Sequence, residues 1–132
     1  MPAYEVGLFN PPAPLARVSL RNRLSGRIVH DVPMLIDSGA DVTLLPRASV
    51  DGLDIATDPN IRYELMAFDG TTSTAQAAEL DLIFQKRIFR GRFLLTHQEV
   101  GFLGRDVINH LSLLLDGPGL LWQETQRLEK EE

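Results

Sequence analysis

The sequence contains no cysteine among its 132 residues. This absence excludes disulfide bonds, thiolate metal sites and a cysteine nucleophile. No apolar run approaches the roughly 18 residues of a membrane-spanning helix. The N-terminal stretch MPAYEVGLFNPPAPLA also lacks the basic segment followed by an apolar one that marks a signal peptide. We therefore expect a cytoplasmic protein that makes no membrane contact.

Positive charge is also scarce. The chain has 13 Lys and Arg against 18 Asp and Glu, which gives a formal net charge of −5. Arg21, Arg23 and Arg27 are close in sequence, but they fall on a predicted hairpin and are interpreted as a solvated face. Since no basic stripe is present, we expect no nucleic-acid partner.

The overall composition is that of a globular protein. Hydrophobic residues make up 44% and charged residues 23% of the chain, and 132 residues suffice for one domain with its own core. Four of the eight prolines precede Leu15, and proline favours an extended backbone. We predict a proline-rich arm over residues 1–15, a folded domain over 16–123 and a charged tail over 124–132.

Short apolar stretches alternate with turn signals along this domain. Strand, turn and strand are predicted around Gly26, a loop over residues 46–60 and a long hairpin over 61–84 with an Asp-Gly tip. Gly91 is predicted to form a bulge or a turn. Helical spacing occurs at residues 105–111. The pattern predicts an all-β protein with one or two short helices and a closed, barrel-like sheet.

One segment, VPMLIDSGADVTLLP, places a single carboxylate directly after an apolar run. Asp37 is followed by Ser38, whose hydroxyl can brace a neighbouring loop, and by Gly39, which permits a sharp turn. Asp-Ser-Gly is also a common turn, so the strand can simply end there. The apolar run favours a functional interpretation, because an aspartate on a largely buried loop is costly without a partner or a task.

Two other chemistries fit this segment poorly. Acyl-phosphate phosphatases place their second Asp two residues after the first, whereas Asp37 and Asp41 are four apart and no lysine-rich continuation follows. Ser38 does not lie in a Gly-x-Ser-x-Gly elbow. The three histidines occupy ordinary strand or helix contexts and are interpreted as structural or exposed. We expect no metal site and no cofactor.

LIDSGADVTLLP resembles the active-site loop of the retropepsin-like aspartic proteases, the retroviral protease family. The family pattern is two apolar residues, Asp, Thr or Ser, Gly, Ala and, after two variable residues, Thr or Ser. Its positions are occupied here by Asp37, Ser38, Gly39, Ala40 and Thr43.

A second family signature is an apolar pair and a glycine, then Arg or Asp before a short helix. FLGRD is similar to it and contributes Gly104, Arg105 and Asp106. Between the two motifs, the predicted hairpin tip falls where the family carries its flap. The tip residues are Ala67, Phe68, Asp69, Gly70 and Thr71. The resemblance covers residues 16–122.

The resemblance implies a homodimeric retropepsin (acid protease) fold, because the chain has one Asp-Ser-Gly motif and the chemistry needs two carboxylates. It implies an aspartic endopeptidase in which an Asp37 pair activates a water to hydrolyse a peptide or protein substrate, without metal or cofactor. Ser38 would bond across the twofold axis, and the Gly39 carbonyl would bind the substrate backbone.

Further roles also follow from the resemblance. Ala40, Asp41 and the flap would contact the substrate, and Asp41 would pair with Arg105. Thr43, Gly104, Arg105 and Asp106 would support the loop. The flap, with one glycine and a bulky phenylalanine, departs from the glycine-rich viral type, as does the long loop over 46–60. The chain is therefore more similar to cellular or bacterial members. The alternative is a catalytically silent dimerisation or peptide-binding module with the same fold.

Overall fold

The computed structural model describes residues 2–67 and 69–129, so the predicted tip residue Phe68 lies outside the described residues. Within these ranges the chain forms eleven β-strands and two short α-helices. The strands are β1 (Tyr4–Glu5), β2 (Ala13–Arg21), β3 (Ile28–Ile36), β4 (Leu44–Pro46), β5 (Tyr63–Met66), β6 (Thr72–Ala75), β7 (Ala77–Phe84), β8 (Arg87–Thr96), β9 (Gly101–Leu103), β10 (Leu113–Asp116) and β11 (Leu121–Glu124). The helices are α1 (Arg47–Asp51) and α2 (Arg105–Ile108).

Six strands close into a barrel. Their order is β2–β3–β9–β4–β8–β7, and β7 pairs with β2 to complete the ring. β1 pairs with the start of β2, while β5–β6 and β10–β11 form separate two-stranded sheets. The predicted all-β class, closed sheet and one or two short helices are therefore confirmed.

The barrel interior is apolar because side chains alternate along each strand. On β2, Val18 and Leu20 are buried in the core, whereas Arg17 is exposed. Trp122 of β11 is also fully buried, and its indole N–H donates to the Leu15 carbonyl at 2.9 Å. The C-terminal hairpin thus packs against the barrel through this tryptophan.

Part of the N-terminal segment pairs with that hairpin. The Tyr4 N–H donates to the Leu120 carbonyl at 2.8 Å, and the Trp122 N–H donates to the Pro2 carbonyl at 3.0 Å. These bonds place residues 2–5 beside β11. The predicted division at residues 15 and 123 stays a prediction.

Three local predictions were wrong. The second arm of the predicted long hairpin breaks at Gln76, whose carbonyl accepts from the Leu95 N–H, so β6 and β7 join different sheets. The predicted loop over 46–60 contains α1. Gly91 lies opposite Leu80 in an unshifted β7–β8 register and forms neither a bulge nor a turn.

Neither described helix has the length and hydrophobicity to cross a membrane.

Candidate active site

Asp37 stands at the end of two paired strands. It follows β3 directly, and its N–H donates to the carbonyl of Leu103 at the end of β9, at 3.0 Å. β3 and β9 are parallel, with Ile36 opposite Leu103. The apolar run that precedes the carboxylate is therefore a barrel strand, and the side chain emerges where that strand leaves the sheet.

The loop after Asp37 is a tight turn held by that residue. The Gly39 N–H donates to Asp37 Oδ1 at 3.0 Å, and the Ala40 N–H donates to the Asp37 carbonyl at 3.2 Å. Asp37 is half-buried, and Ser38 and Gly39 are exposed. The expectation of a largely buried loop was wrong for a single chain, since the turn projects beyond the barrel. One carboxylate oxygen is positioned by the loop, and the group as a whole is accessible.

Arg105 at the start of α2 links to this loop at three points. Its backbone N–H donates to the Ala40 carbonyl at 2.9 Å, and one guanidinium nitrogen donates to the Ser38 carbonyl at 2.8 Å. A second guanidinium nitrogen forms an ion pair with Asp41. Because both side chains of this pair are largely exposed, it adds little stability. Its effect is to fix the shape of the loop.

Beneath the loop, Thr43 joins the two sequence motifs. Its hydroxyl is fully buried, donates to Asp106 Oδ1 at 2.6 Å and accepts from the Gly104 N–H at 3.1 Å. The Thr43 N–H also donates to Asp106 Oδ2 at 3.1 Å. A buried polar group that has all its partners is stable and directional. These bonds thus hold Thr43 and Gly104, which are 61 positions apart in sequence, next to each other at the base of the Asp37 loop.

Gly104 is required by close packing of the backbone. A Cβ atom at this position would lie 2.5 Å from the carbonyl carbon of Val42 and 2.6 Å from its oxygen. Both are backbone atoms, which cannot rotate away as a side chain can. The glycine of the second motif therefore lets α2 approach the Asp37 loop.

The β5–β6 hairpin corresponds to the predicted flap and stands apart from the barrel sheet. At its tip, Asp69 Oδ1 accepts from the Thr71 hydroxyl at 2.7 Å and from the Thr71 N–H at 2.9 Å. Gly70 has φ +86°, which glycine adopts without strain. The hydrogen bond from the Thr71 hydroxyl, followed by that from its N–H, lowers the pKa of Asp69.

This lowered pKa predicts how the tip responds to pH. Ionised Asp69 is stabilised in the folded hairpin, so its contribution is present above the pKa of an unfolded Asp and is lost as pH falls through the folded value. We expect Thr71→Val to raise the pKa of Asp69 towards its ordinary value. A carboxyl-carbon NMR titration measures this shift, with Thr74→Val on the same hairpin as the control. An Asp69 titration that Thr71→Val leaves unmoved would contradict the assignment.

At the base of the same hairpin is a contact that the sequence did not reveal. One Arg92 guanidinium nitrogen donates to the Tyr63 hydroxyl at 2.6 Å, and another donates to Glu79 at 3.1 Å. Glu79 and Arg92 are opposite one another in the β7–β8 ladder. Only a known register would have shown this pairing. These side chains fasten β5 to the barrel wall.

Comparison with known proteins gives a likeness of fold. An EIAV protease, a retroviral enzyme solved in a complex with the inhibitor HBY-793, matches with a TM-score of 0.53 and 20% identity, over 74% of this chain and 86% of that one. The chain has a retropepsin-like fold. By sequence, no family model and no curated protein matches it. The predicted retropepsin fold is confirmed, and the homodimer stays a prediction.

Within this retropepsin-like fold, the structure brings most of the predicted site residues together. The Asp37 loop, Thr43 and the residues of α2 form one hydrogen-bonded unit. The described tip residues lie on the separate β5–β6 hairpin. No group of three or more His, Asp or Glu side chains among residues 2–67 and 69–129 is placed to hold a metal ion.

Proposed function

We propose that this chain is an aspartic endopeptidase that acts as a homodimer, with one Asp37 from each subunit. The observation that carries the proposal is the accessible Asp37 carboxylate on a loop held by Gly39, Arg105 and the buried Thr43, in a chain with the fold of a retroviral protease. A carboxylate held so firmly at an accessible position is suited to chemistry.

The proposed reaction follows from the charge of two neighbouring carboxylates. Carboxyl groups about 3 Å apart do not both ionise, so they share one proton. The ionised member takes a proton from a water held between the two. The protonated member donates to the oxygen of the peptide carbonyl. The resulting hydroxide adds to the carbonyl carbon, a tetrahedral diol forms, and the amine leaves after protonation. No covalent intermediate forms.

A second subunit is needed because this chain contains a single Asp-Ser-Gly motif. In the proposed dimer, Ser38 bonds across the twofold axis and aligns the two carboxylates. Exposed apolar side chains available for burial in a dimer occur beside the loop at Val42 and on β10 at Leu114 and Leu115. These groups support association, since burial of apolar area is its main driving force.

The substrate in this proposal is an extended peptide lying between the Asp37 loops and the β5–β6 hairpin. The free strand edges of a two-stranded hairpin can pair with such a peptide as an added strand. The Gly39 carbonyl, Ala40 and Asp41 would contact the substrate backbone. The long segment over 46–60 and the flap with a single glycine favour a cellular or bacterial type of enzyme, and the cytoplasm stays its proposed compartment.

One observation favours the second candidate, a catalytically silent peptide-binding or dimerisation module. The hydrogen bonds between Asp69 and Thr71 stiffen the tip. A stiff tip would resist the closure that turnover requires. If wild-type protein dimerises and binds peptides but cleaves none of a broad peptide library, this second function is the correct one.

A subunit-mixing experiment tests the shared site. Wild-type chains are unfolded and refolded together with Asp37→Asn chains, and peptide cleavage is measured at constant wild-type concentration. Each heterodimer has one functional carboxylate and is expected to be inactive. With a tenfold excess of the variant, activity should fall to about one tenth, because most wild-type chains then have a variant partner. Activity independent of added variant would show that one chain holds a complete site.

A further inference from the structure

The backbone of β8 has one paired edge and one open edge over most of its length. The Leu95 N–H donates to the Gln76 carbonyl at 2.9 Å, and the β7–β8 register continues without a shift. In an antiparallel ladder, successive residues direct their N–H and C=O groups to opposite edges. Ile88, Arg90 and Arg92 therefore direct theirs away from β7.

No described strand pairs with that second edge of β8 between Arg87 and Phe93. β4 pairs with β8 at Leu94–Thr96 only. Beside the rest of the strand is a groove of about 790 Å³ whose other side includes Asp106, Val107 and His110 of the α2 region. The ring of Phe89 on β8 faces this other side, with its centroid 5.9 Å from that of the His110 ring. The open edge thus borders a groove with a partly apolar wall.

The outer face beside this edge is positively charged. Arg90 and Arg92 have side chains more than half exposed. Arg21 on β2 and Arg23 just after it approach the same face from the far side of β7, where they surround Asp81. These four arginines form their ion pairs with two carboxylates, Glu79 and the buried Asp81. These four arginines and two carboxylates sum to +2, whereas the whole chain carries −5.

The arginines keep hydrogen-bonding capacity for a ligand. Asp81 Oδ1 lies 3.5 Å from Arg90 Nε and 3.6 Å from Arg23 Nε, and it accepts no hydrogen bond from the described residues. Asp81 bonds to Arg21 alone, through its other oxygen. The buried carboxylate thus attracts Arg23 and Arg90 without occupying their N–H donors.

We propose that the open edge of β8 binds an extended acidic peptide segment as an added strand. Its backbone pairs with Ile88, Arg90 and Arg92, its acidic side chains alternate onto the outer face beside the arginines, and its apolar side chains face the groove wall at Phe89. Strand addition supplies affinity through the backbone, and the alternating side chains supply selectivity. This proposal does not depend on the proteolytic function.

A second copy of this chain fits the edge less well. Two β8 edges paired with each other would bring arginines from both copies together, and like charges on neighbouring strands are destabilising. Charged side chains are a common protection against such edge-to-edge association. An acidic segment removes the repulsion and forms charge-assisted hydrogen bonds with the guanidinium groups.

The probe is a fluorescein-labelled, end-capped heptapeptide of alternating valine and glutamate, with binding measured by fluorescence anisotropy. We expect saturable binding, and a valine–lysine counterpart should bind at least about tenfold more weakly. Two further isomers are N-methylated at either the glutamates or the valines. Only one set of N–H groups can face β8, so one isomer should lose binding and the other retain it. Equal effects of both methylations would overturn the proposal.

Protein variants locate the peptide. Ile88→Pro removes the backbone N–H that faces the open edge, and it leaves the hydrogen bonds between β7 and β8 intact. Ile88→Ala is the matched control, because it also removes the isoleucine side chain but keeps that N–H. We expect at least about tenfold weaker binding for the proline variant than for the alanine variant. Arg90→Gln should also weaken binding, whereas Arg127→Gln in the tail should not.

Two outcomes would assign the peptide or the edge elsewhere. Equal binding by the two Ile88 variants would show that the peptide lies elsewhere, including in the Asp37 cleft, and would overturn the proposal. Sedimentation in which only Ile88→Pro loses a dimer would show that the edge pairs with itself and would also overturn it. Thermal unfolding of each variant verifies that the barrel is intact. None of these variants alters the Asp37 loop. A negative result for peptide binding at β8 therefore does not bear on the proposed protease function.

Discussion

Asp37→Asn is expected to abolish peptide cleavage, lowering kcat/KM by about a thousandfold or more. An asparagine pair neither accepts a proton from water nor supplies one to the peptide carbonyl, so both halves of the proposed acid–base step are lost. The amide oxygen can still accept from the Gly39 N–H, which bonds to Asp37 Oδ1 at 3.0 Å, so the loop should keep its shape. Cleavage is measured on a fluorogenic peptide identified from a library, at mildly acidic pH.

Asp31→Asn is the matched control for this loss. Asp31 is an exposed residue of the same strand with φ +58°, a conformation that Asn tolerates well. The control should cleave at the wild-type rate, and both variants should unfold at the wild-type temperature. Wild-type cleavage by Asp37→Asn would disprove the proposed mechanism, whatever the state of the fold.

Gly104→Ala is expected to lower the free energy of unfolding by about 3 kcal/mol or more. The added methyl group would overlap the backbone of Val42, at 2.5 and 2.6 Å from its carbonyl carbon and oxygen, and would also approach the Ala40 carbonyl at 3.0 Å. Relief requires α2 to move away from the loop, which would break the bond between the Gly104 N–H and Thr43. Urea denaturation followed by circular dichroism measures the change.

Gly117→Ala separates this clash from the general effect of replacing a glycine. A Cβ at Gly117 would meet no atom within 4 Å. We expect its free energy of unfolding to stay within about 1 kcal/mol of wild type. If Gly104→Ala were as stable as Gly117→Ala, the close approach between α2 and the loop would be absent in solution, and the account of the second motif would be wrong.

The sequence was most informative where local chemistry decides the structure. The apolar run into Asp37 ends a strand, and the FLGRD segment leads into a short helix, because both depend on neighbouring residues. The contact between the two motifs was expected from resemblance alone. The structure gives the physical reason for this contact: the buried hydroxyl of Thr43 bonds to both Gly104 and Asp106. A sequence pattern does not show such a bond.

Prediction failed where distant parts of the chain determine the outcome. The break at Gln76 arises because its carbonyl bonds to Leu95 on β8, so an apparently continuous strand divides between two sheets. Gly91 was given local turn chemistry, yet its pairing with Leu80 keeps the strand regular. The bonds from Tyr4 and Trp122 that tie the N-terminal segment to the last hairpin also depend on tertiary contact.

The β5–β6 hairpin shares no ladder with the barrel among the described residues, and the Arg92–Tyr63 hydrogen bond ties its base to β8. Moving this hairpin as a unit breaks few backbone hydrogen bonds, whereas unfolding the barrel breaks those of all six strands. In the proposed enzyme, substitutions at Arg92 or Tyr63 would therefore change how fast this hairpin moves, with little effect on the thermal stability of the barrel. Selection can act on the two properties separately.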